Sequence, residues 1–292
     1  MATDIKTVGV AGSGTMGAGI AIVAARAGFT TRVYDTRADA LARAREQTAG
    51  FLAKSVQRGK LAQHQADDIV ARLEGTTAVE AMAACDIVIE AVYEDMRVKH
   101  ELFAALDRVC PQHTLFASNT STLSITEIAG GSGRPDRFVG MHFCLPAQLM
   151  KLVEMSPGIE TSREAFESAW ALCQAMGQIP VKTQDSPGFI LNYFLVPFNN
   201  DAIRLVESGT ATPADIDRAV KAGLGYAMGP LELLDLVGLD THRLVAQALY
   251  AATHEPRAAV PPLVNRMIAA GHLGRKTGRG FYTYQGSAMF GA

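Results

Sequence analysis

The sequence has almost no charge excess. Its 27 lysines and arginines face 29 aspartates and glutamates, a formal net charge of −2. Nothing in that balance marks a nucleic-acid or acidic-membrane partner, and neither is expected. Cysteine is scarce: Cys85, Cys110, Cys144 and Cys173 are the four, and none shares a C-x-x-C spacing. The pattern argues against a disulfide framework or a metal site, and for reduced, mostly buried thiols in a cytoplasmic protein. No apolar run approaches a membrane span, and no basic segment with an apolar run precedes the first strand-like stretch. Neither an anchor nor a leader is expected. Internal repeats and low-complexity tracts are also missing. What remains is ordinary globular composition, 48% hydrophobic and 19% charged over 292 residues, enough for about two domains.

One stretch near the start organises the rest, Thr7-Val8-Gly9-Val10-Ala11-Gly12-Ser13-Gly14-Thr15-Met16-Gly17. Val8 and Val10 belong to a strand-like run. Gly12, Gly14 and Gly17 fit G-x-G-x-x-G, and a helical pattern (Ile20, Ile22, Val23, Ala27) follows. A second β-like run, Thr31-Arg32-Val33-Tyr34, ends on Asp35. Strand, glycine turn, helix, strand and acid are the parts of a dinucleotide site. The first glycine allows the tight turn, the second lets backbone approach a pyrophosphate, and the third lets helix pack on strand. The helix N-terminus offers free N–H groups to phosphate, and Asp35 stands where a carboxylate accepts from ribose hydroxyls. An acid there favours NAD over NADP.

Beyond Asp35 a helical segment runs from Asp39 to Arg58, interrupted by Gly50 and stopped by Gly59, with another from Ala66 to Leu73. This helical hairpin carries Arg43, Arg45, Lys54, Arg58 and Lys60. A solvated helix face accounts for these bases as well as a ligand does. Strand-like runs follow at Asp86–Glu90, Thr114–Ser118, Phe138–Phe143, Leu152–Met155 and through Ile179 and Val181. Helices lie between them, opened by capping boxes at Ser124-Ile125-Thr126-Glu127 and Thr161-Ser162-Arg163-Glu164. The alternation predicts a mainly parallel, doubly wound α/β sheet. At Asp185-Ser186-Pro187-Gly188 it stops, and only helical patterns follow. Pro187 reads as a first helical position, Pro197 as a bend, and Thr212, Gly229-Pro230, Asp240 and Pro261-Pro262 as helix starts. The expected domains are residues 1–186, a Rossmann-type unit with a helical hairpin insert, and residues 187–292, all helical.

Three further stretches carry chemistry. Ala117-Ser118-Asn119-Thr120-Ser121 follows a predicted strand, at the sheet edge where ligands bind; its hydroxyls serve equally as helix caps. His142 ends another predicted strand, and Glu154 lies in the next. Histidine is the usual acid/base for alcohol–ketone interconversion, and a carboxylate would orient the ring and stabilise the imidazolium. A single histidine is also commonly structural. Asn192 follows Ser186-Pro187-Gly188-Phe189 and reads either as a pocket amide or as a polar residue on an exposed helix face.

At these residues the sequence resembles the L-3-hydroxyacyl-CoA dehydrogenases, including bacterial 3-hydroxybutyryl-CoA dehydrogenases. Gly12–Gly17, Asp86-Ile87-Val88-Ile89-Glu90-Ala91, Ala117–Ser121, Gly140-Met141-His142-Phe143 and Met150-Lys151-Leu152-Val153-Glu154 appear in family order. Ser186–Phe189, Met228-Gly229-Pro230-Leu231-Glu232-Leu233 and Gly274-Arg275-Lys276-Thr277-Gly278-Arg279-Gly280-Phe281-Tyr282 complete the series. The resemblance implies an NAD-dependent oxidoreductase of fatty-acid metabolism (β-oxidation), dimeric through its helical domain. His142 would exchange the hydroxyl proton with Glu154 as its partner. Ser121 would bind the substrate oxygen beside the nicotinamide, and Asn192 would complete the pocket. Gly12, Gly14, Thr15, Met16, Gly17, Asp35, Glu94, Lys99 and Lys276 would serve the cofactor, and Lys54 and Lys60 the CoA phosphates. Three positions depart from the family pattern: Leu145 stands for asparagine, Tyr193 for arginine, and Tyr226-Ala227 for His-Pro. Two alternatives stay open, a dehydrogenase of a free 3-hydroxy acid such as L-gulonate or carnitine, and an inactive crystallin-like protein that kept the fold.

Overall fold

Short apolar runs, buried on both faces, make the central strands of the first of two units, Met1–Ser186; the second is Pro187–Ala292. The computed structural model describes residues 4–284. In chain order the first unit contains β1 (Thr7–Ala11), α1 (Thr15–Arg26), β2 (Thr30–Tyr34), α2 (Ala38–Gln57), α3 (Gln63–Ala71), β3 (Leu73–Thr76) and β4 (Ile87–Glu90). It continues with α4 (Met96–Val109), β5 (Leu115–Ser118), α5 (Ile125–Gly130), β6 (Phe138–Phe143), β7 (Leu152–Pro157), α6 (Arg163–Ala175) and β8 (Ile179–Lys182). The strands form one eight-stranded sheet in the order β3-β2-β1-β4-β5-β6-β7-β8. Strand order reverses between β1 and β4, and in an open α/β sheet the crevice beyond the strand ends at such a point receives the ligand.

Every residue of β4, β5 and β6 is buried, as expected for strands covered by helices on both sides. Successive side chains alternate between the faces. Val8, Val10, Ile87, Ile89, Met141, Phe143, Val153 and Met155 pack with Ile20, Val23, Ala169 and Leu172 of α1 and α6. On the other face Phe103 of α4 stacks edge-on against Phe138, with ring centres 4.7 Å apart, and leans on Phe116 at 5.4 Å.

Several local expectations are corrected. α2 runs through the exposed Gly50 without interruption, a glycine that costs the helix only about 1 kcal/mol. Leu73 belongs to β3 rather than a helix: α3 ends at Ala71, and Leu73 pairs with Thr31 at the sheet edge. β3 is only half buried, so its apolar pattern is faint. β7 is antiparallel to β6 and parallel to β8, so two reversed strands end an otherwise parallel sheet. Ser162, not Thr161, caps α6, accepting from Ala165 N at 3.2 Å.

The second unit contains α7 (Leu191–Glu207), α8 (Pro213–Leu224), α9 (Pro230–Val237), α10 (Leu239–Thr253) and α11 (Pro262–Ala269). Pro187 is not the first helical residue. Gly188 (φ 79°) and Phe189 (φ 46°) are both in the left-handed region, so a right-handed helix cannot begin before them. Gly238, not Asp240, is the cap residue of α10. Ile203, Leu231, Leu234, Leu239 and Val264 form the core of this unit.

A buried polar pair lies within it. Asn200 is fully buried and His242 is 5% exposed. Asn200 Nδ2 donates to the carbonyls of Arg257 (2.9 Å) and Ala258 (3.1 Å), which fixes Oδ1 as the acceptor for His242 Nε2 at 2.8 Å. Burial pushes His242 down to about 4 from its ordinary 6.5. The unfolded chain therefore binds an extra proton between those values, so this contribution to stability is present above pH 6.5 and is lost as pH falls towards 4. Unfolding in urea at pH 7 and pH 4 should show about 3 kcal/mol more acid destabilisation in the wild type than in His242→Gln. Equal acid sensitivity of the two proteins contradicts a neutral buried His242.

Candidate active site

The glycine turn is built by contact. Gly12 has φ 106°, and a Cβ there would sit 2.5 Å from the carbonyl oxygen of Ala91. A Cβ on Gly17 would collide with the Gly12 carbonyl, whereas a Cβ on Gly14 would meet nothing within 4 Å. The first and third glycines thus close the turn on β4 and α1, and the second leaves room for a ligand. Gly14 caps α1 without any side-chain hydrogen bond, so the opening N–H groups, those of Thr15, Met16 and Gly17, have no intrahelical partner. A dinucleotide pyrophosphate fits this cradle. Asp35 follows β2 and is half-buried. Its Oδ2 accepts from Ser13 N at 2.9 Å and Ser13 Oγ at 2.6 Å, and its Oδ1 from Arg37 N at 3.0 Å. The carboxylate ties the β2 end to the glycine turn.

The catalytic candidates follow from alternation and register. His142 lies directly opposite Glu154 across the antiparallel β6–β7 pair, so both side chains stand on one face. His142 Nδ1 is 2.8 Å from Glu154 Oε2. Glu154 is 1% exposed and His142 9%. The same face carries Glu90, Ser118, Gly140 and Ser156, which pair in register across β4 to β7. Gly140 is required in that row, because a Cβ would run into Ser156 Oγ and lie 2.8 Å from Ile125 Cδ1.

The turn after β5 is held from below and from the side. Glu94, in the segment after β4, accepts through Oε1 from Thr120 Oγ1 (2.6 Å), Ser121 N (2.9 Å), Thr122 N (3.1 Å) and Thr122 Oγ1 (2.9 Å). Ser121 Oγ lies at 3.5 Å from the same oxygen. Burial works against ionisation of Glu94, but Lys99, Thr120 and Ser121 N–H outweigh it and hold the carboxyl below its ordinary range. Lys99 lies behind Glu94: it is 1% exposed, with its ammonium 2.6 Å from Glu90 Oε1 and 3.1 Å from Glu94 Oε2. Asn119 Oδ1 accepts from Phe143 N at 2.9 Å, joining this turn to the end of the histidine strand.

The structure therefore brings His142 to Glu154, Ser121 to Glu94, Glu94 to Lys99, and Asp35 to the glycine turn. Lys54 and Lys60 are exposed on the hairpin. Neither makes an ion pair among the described residues. Asn192 and Lys276 belong to the second unit. Asn192 is half-buried in the first turn of α7, and Lys276 pairs with Asp240 at 2.6 Å. Sequence reasoning missed Glu90, Asn119 and Asp185. Asp185 Oδ1 accepts from Ile125 N, and its Oδ2 from Thr126 N and Ser124 Oγ, all at 2.8 Å, securing the start of α5. Two signals were present: an acid closing an apolar strand at Glu90, and an acid just before the pattern change at Asp185. The described residues contain no group of His, Cys, Asp and Glu able to hold a metal ion.

Comparison with known proteins extends this geometry along the chain. Residues 7–186 match the NAD binding domain of 3-hydroxyacyl-CoA dehydrogenase, and residues 188–284 match its C-terminal domain. A probable 3-hydroxybutyryl-CoA dehydrogenase of Bacillus subtilis is 42% identical over 282 residues, covering 97% of this chain and 98% of the relative. The human mitochondrial hydroxyacyl-coenzyme A dehydrogenase is 44% identical over 289 residues, covering 96% and 92%. The crystal structure of FadB2 from M. tuberculosis superposes with a TM-score of 0.93 at 41% identity, covering 96% of this chain and 99% of that one. With both domains matched in order and the relatives covered over 92% or more of their lengths, the chain belongs to the 3-hydroxyacyl-CoA dehydrogenase family.

Proposed function

We propose that this protein interconverts an L-3-hydroxyacyl-CoA and the corresponding 3-ketoacyl-CoA with NAD. The observation that carries the reading is the buried His142–Glu154 pair, at 2.8 Å, in a sheet whose glycine cradle accepts a dinucleotide. NAD supplies the hydride acceptor for C3 in oxidation and, reduced, the hydride donor in the reverse direction. Neutral His142 takes the hydroxyl proton as the alcohol is oxidised, and the imidazolium returns it as the ketone is reduced. With Nδ1 held by Glu154, that exchange falls to Nε2. Glu154 fixes the ring plane and balances the charge formed. Ser121 donates to the substrate oxygen, and Asn192 is assigned to substrate binding. Oxidation needs the neutral ring and reduction the charged one.

His142→Ala should lower kcat about 10²–10⁴-fold in both directions while NADH binding persists in a fluorescence titration. Glu154→Gln keeps the shape and removes the charge, and should lower kcat with KM little changed. Near-normal turnover in His142→Ala would make the histidine structural and the mechanism wrong.

The glycine cradle, Asp35, Glu94 and Lys99 support the cofactor assignment, and Lys276 is assigned to the same role. A 2′-phosphate beside the Asp35 carboxylate meets like charge at close range, a penalty of about 1 kcal/mol or more depending on the local dielectric. The ratio of kcat/KM for NAD over NADP should therefore exceed about fivefold and shrink in Asp35→Asn. An NADP preference in the wild type removes Asp35 from the ribose site.

Lys54 and Lys60, exposed at the end of the hairpin, are assigned to the CoA phosphates, which a compact ammonium attracts as a point charge. Lys60→Ala should raise KM for acyl-CoA and flatten its salt dependence, with KM for NAD unchanged. Unaltered acyl-CoA kinetics would make the hairpin's basic face merely solvated, and equal turnover of the free 3-hydroxy acid would remove CoA from the reading. We further assign a homodimer formed through the helical unit, where Tyr193 (55%), Phe194 (66%), Leu224 (59%) and Tyr226 (50%) are exposed, more apolar surface than water favours. No helix among the described residues is long and apolar enough to cross a membrane. A cytoplasmic setting agrees with the free thiols of Cys85, Cys110 and Cys173, all buried.

A further inference from the structure

A cavity of about 760 Å³ lies in the first unit beside the leading part of α2, and none of the residues assigned above to cofactor or substrate lines it. Its size is that of a small-molecule pocket. Farther along, α2 is packed: Leu52 clusters with Ala25 of α1 and Ile69 of α3. Before that point the lining is small or apolar, with Ala18 and Ala21 from α1, Val33 from β2, Ala44 from α2 and Leu73 from β3. Side chains of this size do not close the gap between helix and sheet, although folded interiors hold few voids larger than a water. An apolar void of this kind is open to an apolar guest.

Two polar groups give the cavity a head end. Thr48 lines it and is 8% exposed. The helical hydroxyls of Ser55 and Thr253 donate to the carbonyl four residues back, at 2.9 and 2.7 Å. Thr48 makes no such bond, nor one to any other described residue, so its hydroxyl is left to the cavity. Arg45 precedes it by three residues, on the same side of the helix. Arg45 is exposed at the rim, with no ion pair among the described residues. Of the two acids in the lining, Glu74 is paired with Arg32 at 3.1 Å, and Glu46 is turned about 100° around α2 from Arg45.

We propose that this cavity is a second ligand site, which takes an aliphatic monocarboxylate. The hydrocarbon chain enters the apolar space. The carboxylate accepts from the Arg45 guanidinium at the rim and from the Thr48 hydroxyl beside it, charge-assisted bonds that an uncharged head group does not form. The site does not depend on the reaction proposed above.

The probe is sodium octanoate, titrated calorimetrically into the full-length protein saturated with NADH, with 1-octanol as the uncharged control. Octanoate should bind at one site per chain, about tenfold more tightly than 1-octanol. Arg45→Ala should weaken octanoate about tenfold and Thr48→Val about fivefold. Ala44→Leu puts a side chain into the cavity and should abolish binding. In all three variants kcat and KM for acyl-CoA should keep their wild-type values. The proposal is overturned if octanoate does not bind at millimolar concentration, if 1-octanol binds as tightly, or if the variants bind octanoate as the wild type does. Octanoate that competes with acyl-CoA and ignores Ala44→Leu also overturns it, by placing the probe in the substrate pocket. If Ala44→Leu does not fold, Arg45→Ala, a surface change, and Thr48→Val, a change of equal shape, carry the test. A wild-type protein that binds octanoate in this way but is inactive on 3-hydroxyacyl-CoA refutes the proposed function and leaves this site standing.

Discussion

A pleated strand presents each face only at every second residue, and strands in register repeat that rhythm side by side. The site depends on this constraint. Ile-Val-Ile-Glu in β4, Leu-Phe-Ala-Ser in β5 and Phe-Val-Gly-Met-His-Phe in β6 each send alternate apolar residues into the α1/α6 core. The remaining positions fall on the opposite face, where Glu90, Ser118, Gly140 and Ser156 line up across four strands. Two residues further along β6 the same face holds His142, opposite Glu154. A slip of one residue in β7 would drive Glu154 into the apolar core and bring a methionine or valine against the imidazole. The core residues on one face therefore enforce the polar pairing on the other.

That arrangement also explains why the pair is rigid. Both side chains are nearly excluded from water, and the backbone hydrogen bonds of an antiparallel ladder fix their separation. A buried charge is costly unless paired and hydrogen-bonded. Glu154 meets the requirement through His142, Glu90 through Lys99, Ser118 and Val92, and Glu94 through the turn after β5. Asn119 links the turn and the histidine strand through one bond to Phe143 N. His142 and Ser121, the groups proposed for proton exchange and substrate-oxygen contact, are thereby held to a common frame, the sheet edge, rather than to separate loops.

What was legible in the sequence is what local chemistry decides. The glycine turn, its helix and Asp35 are specified within 30 residues, and Ser124 caps α5 where its capping box requires. Sheet membership at the edge was not legible, because β3 has only a faint apolar pattern and its partner β2 lies some 40 residues away. The direction of β7 was hidden for the same reason: a strand's composition does not state which way it runs. His142 and Glu154 read as neighbours at strand ends, yet their direct opposition is a property of register. Glu90 and Asn119 acquire meaning only when β4, β5 and β6 are side by side. The start of α7 was misread because the left-handed Phe189 is invisible in composition, whereas the glycine before it is not.

The helical unit meets the same cost of burial in another way. Asp217, 1% exposed, takes no buried lysine; its carboxylate accepts from Leu231 N at 2.9 Å and Glu232 N at 3.0 Å, the opening of α9, and from Tyr282 hydroxyl at 2.7 Å. Asp235, also 1% exposed, accepts from Phe281 N and Tyr282 N at 2.9 Å and from Tyr284 hydroxyl at 3.0 Å. Burial still pushes Asp235 up, against those donors, and pushes the Tyr284 phenol up to about 12. Backbone N–H groups are donors that cannot titrate, so acids satisfied by them fix chain direction more than charge. Gly280 shows how closely the chain is drawn in, since a Cβ there would overlap the Asp235 carboxylate. The stretch from Gly274 to Tyr284 is therefore held as part of the fold of this unit, by Asp235, whose donors are the segment's own backbone and the Tyr284 phenol, and by Asp217 through the Tyr282 phenol. Of the buried acids, Glu90 and Glu154 in the first unit are paired with a lysine or a histidine, whereas Asp217 and Asp235 in the second are held by backbone amides and phenols.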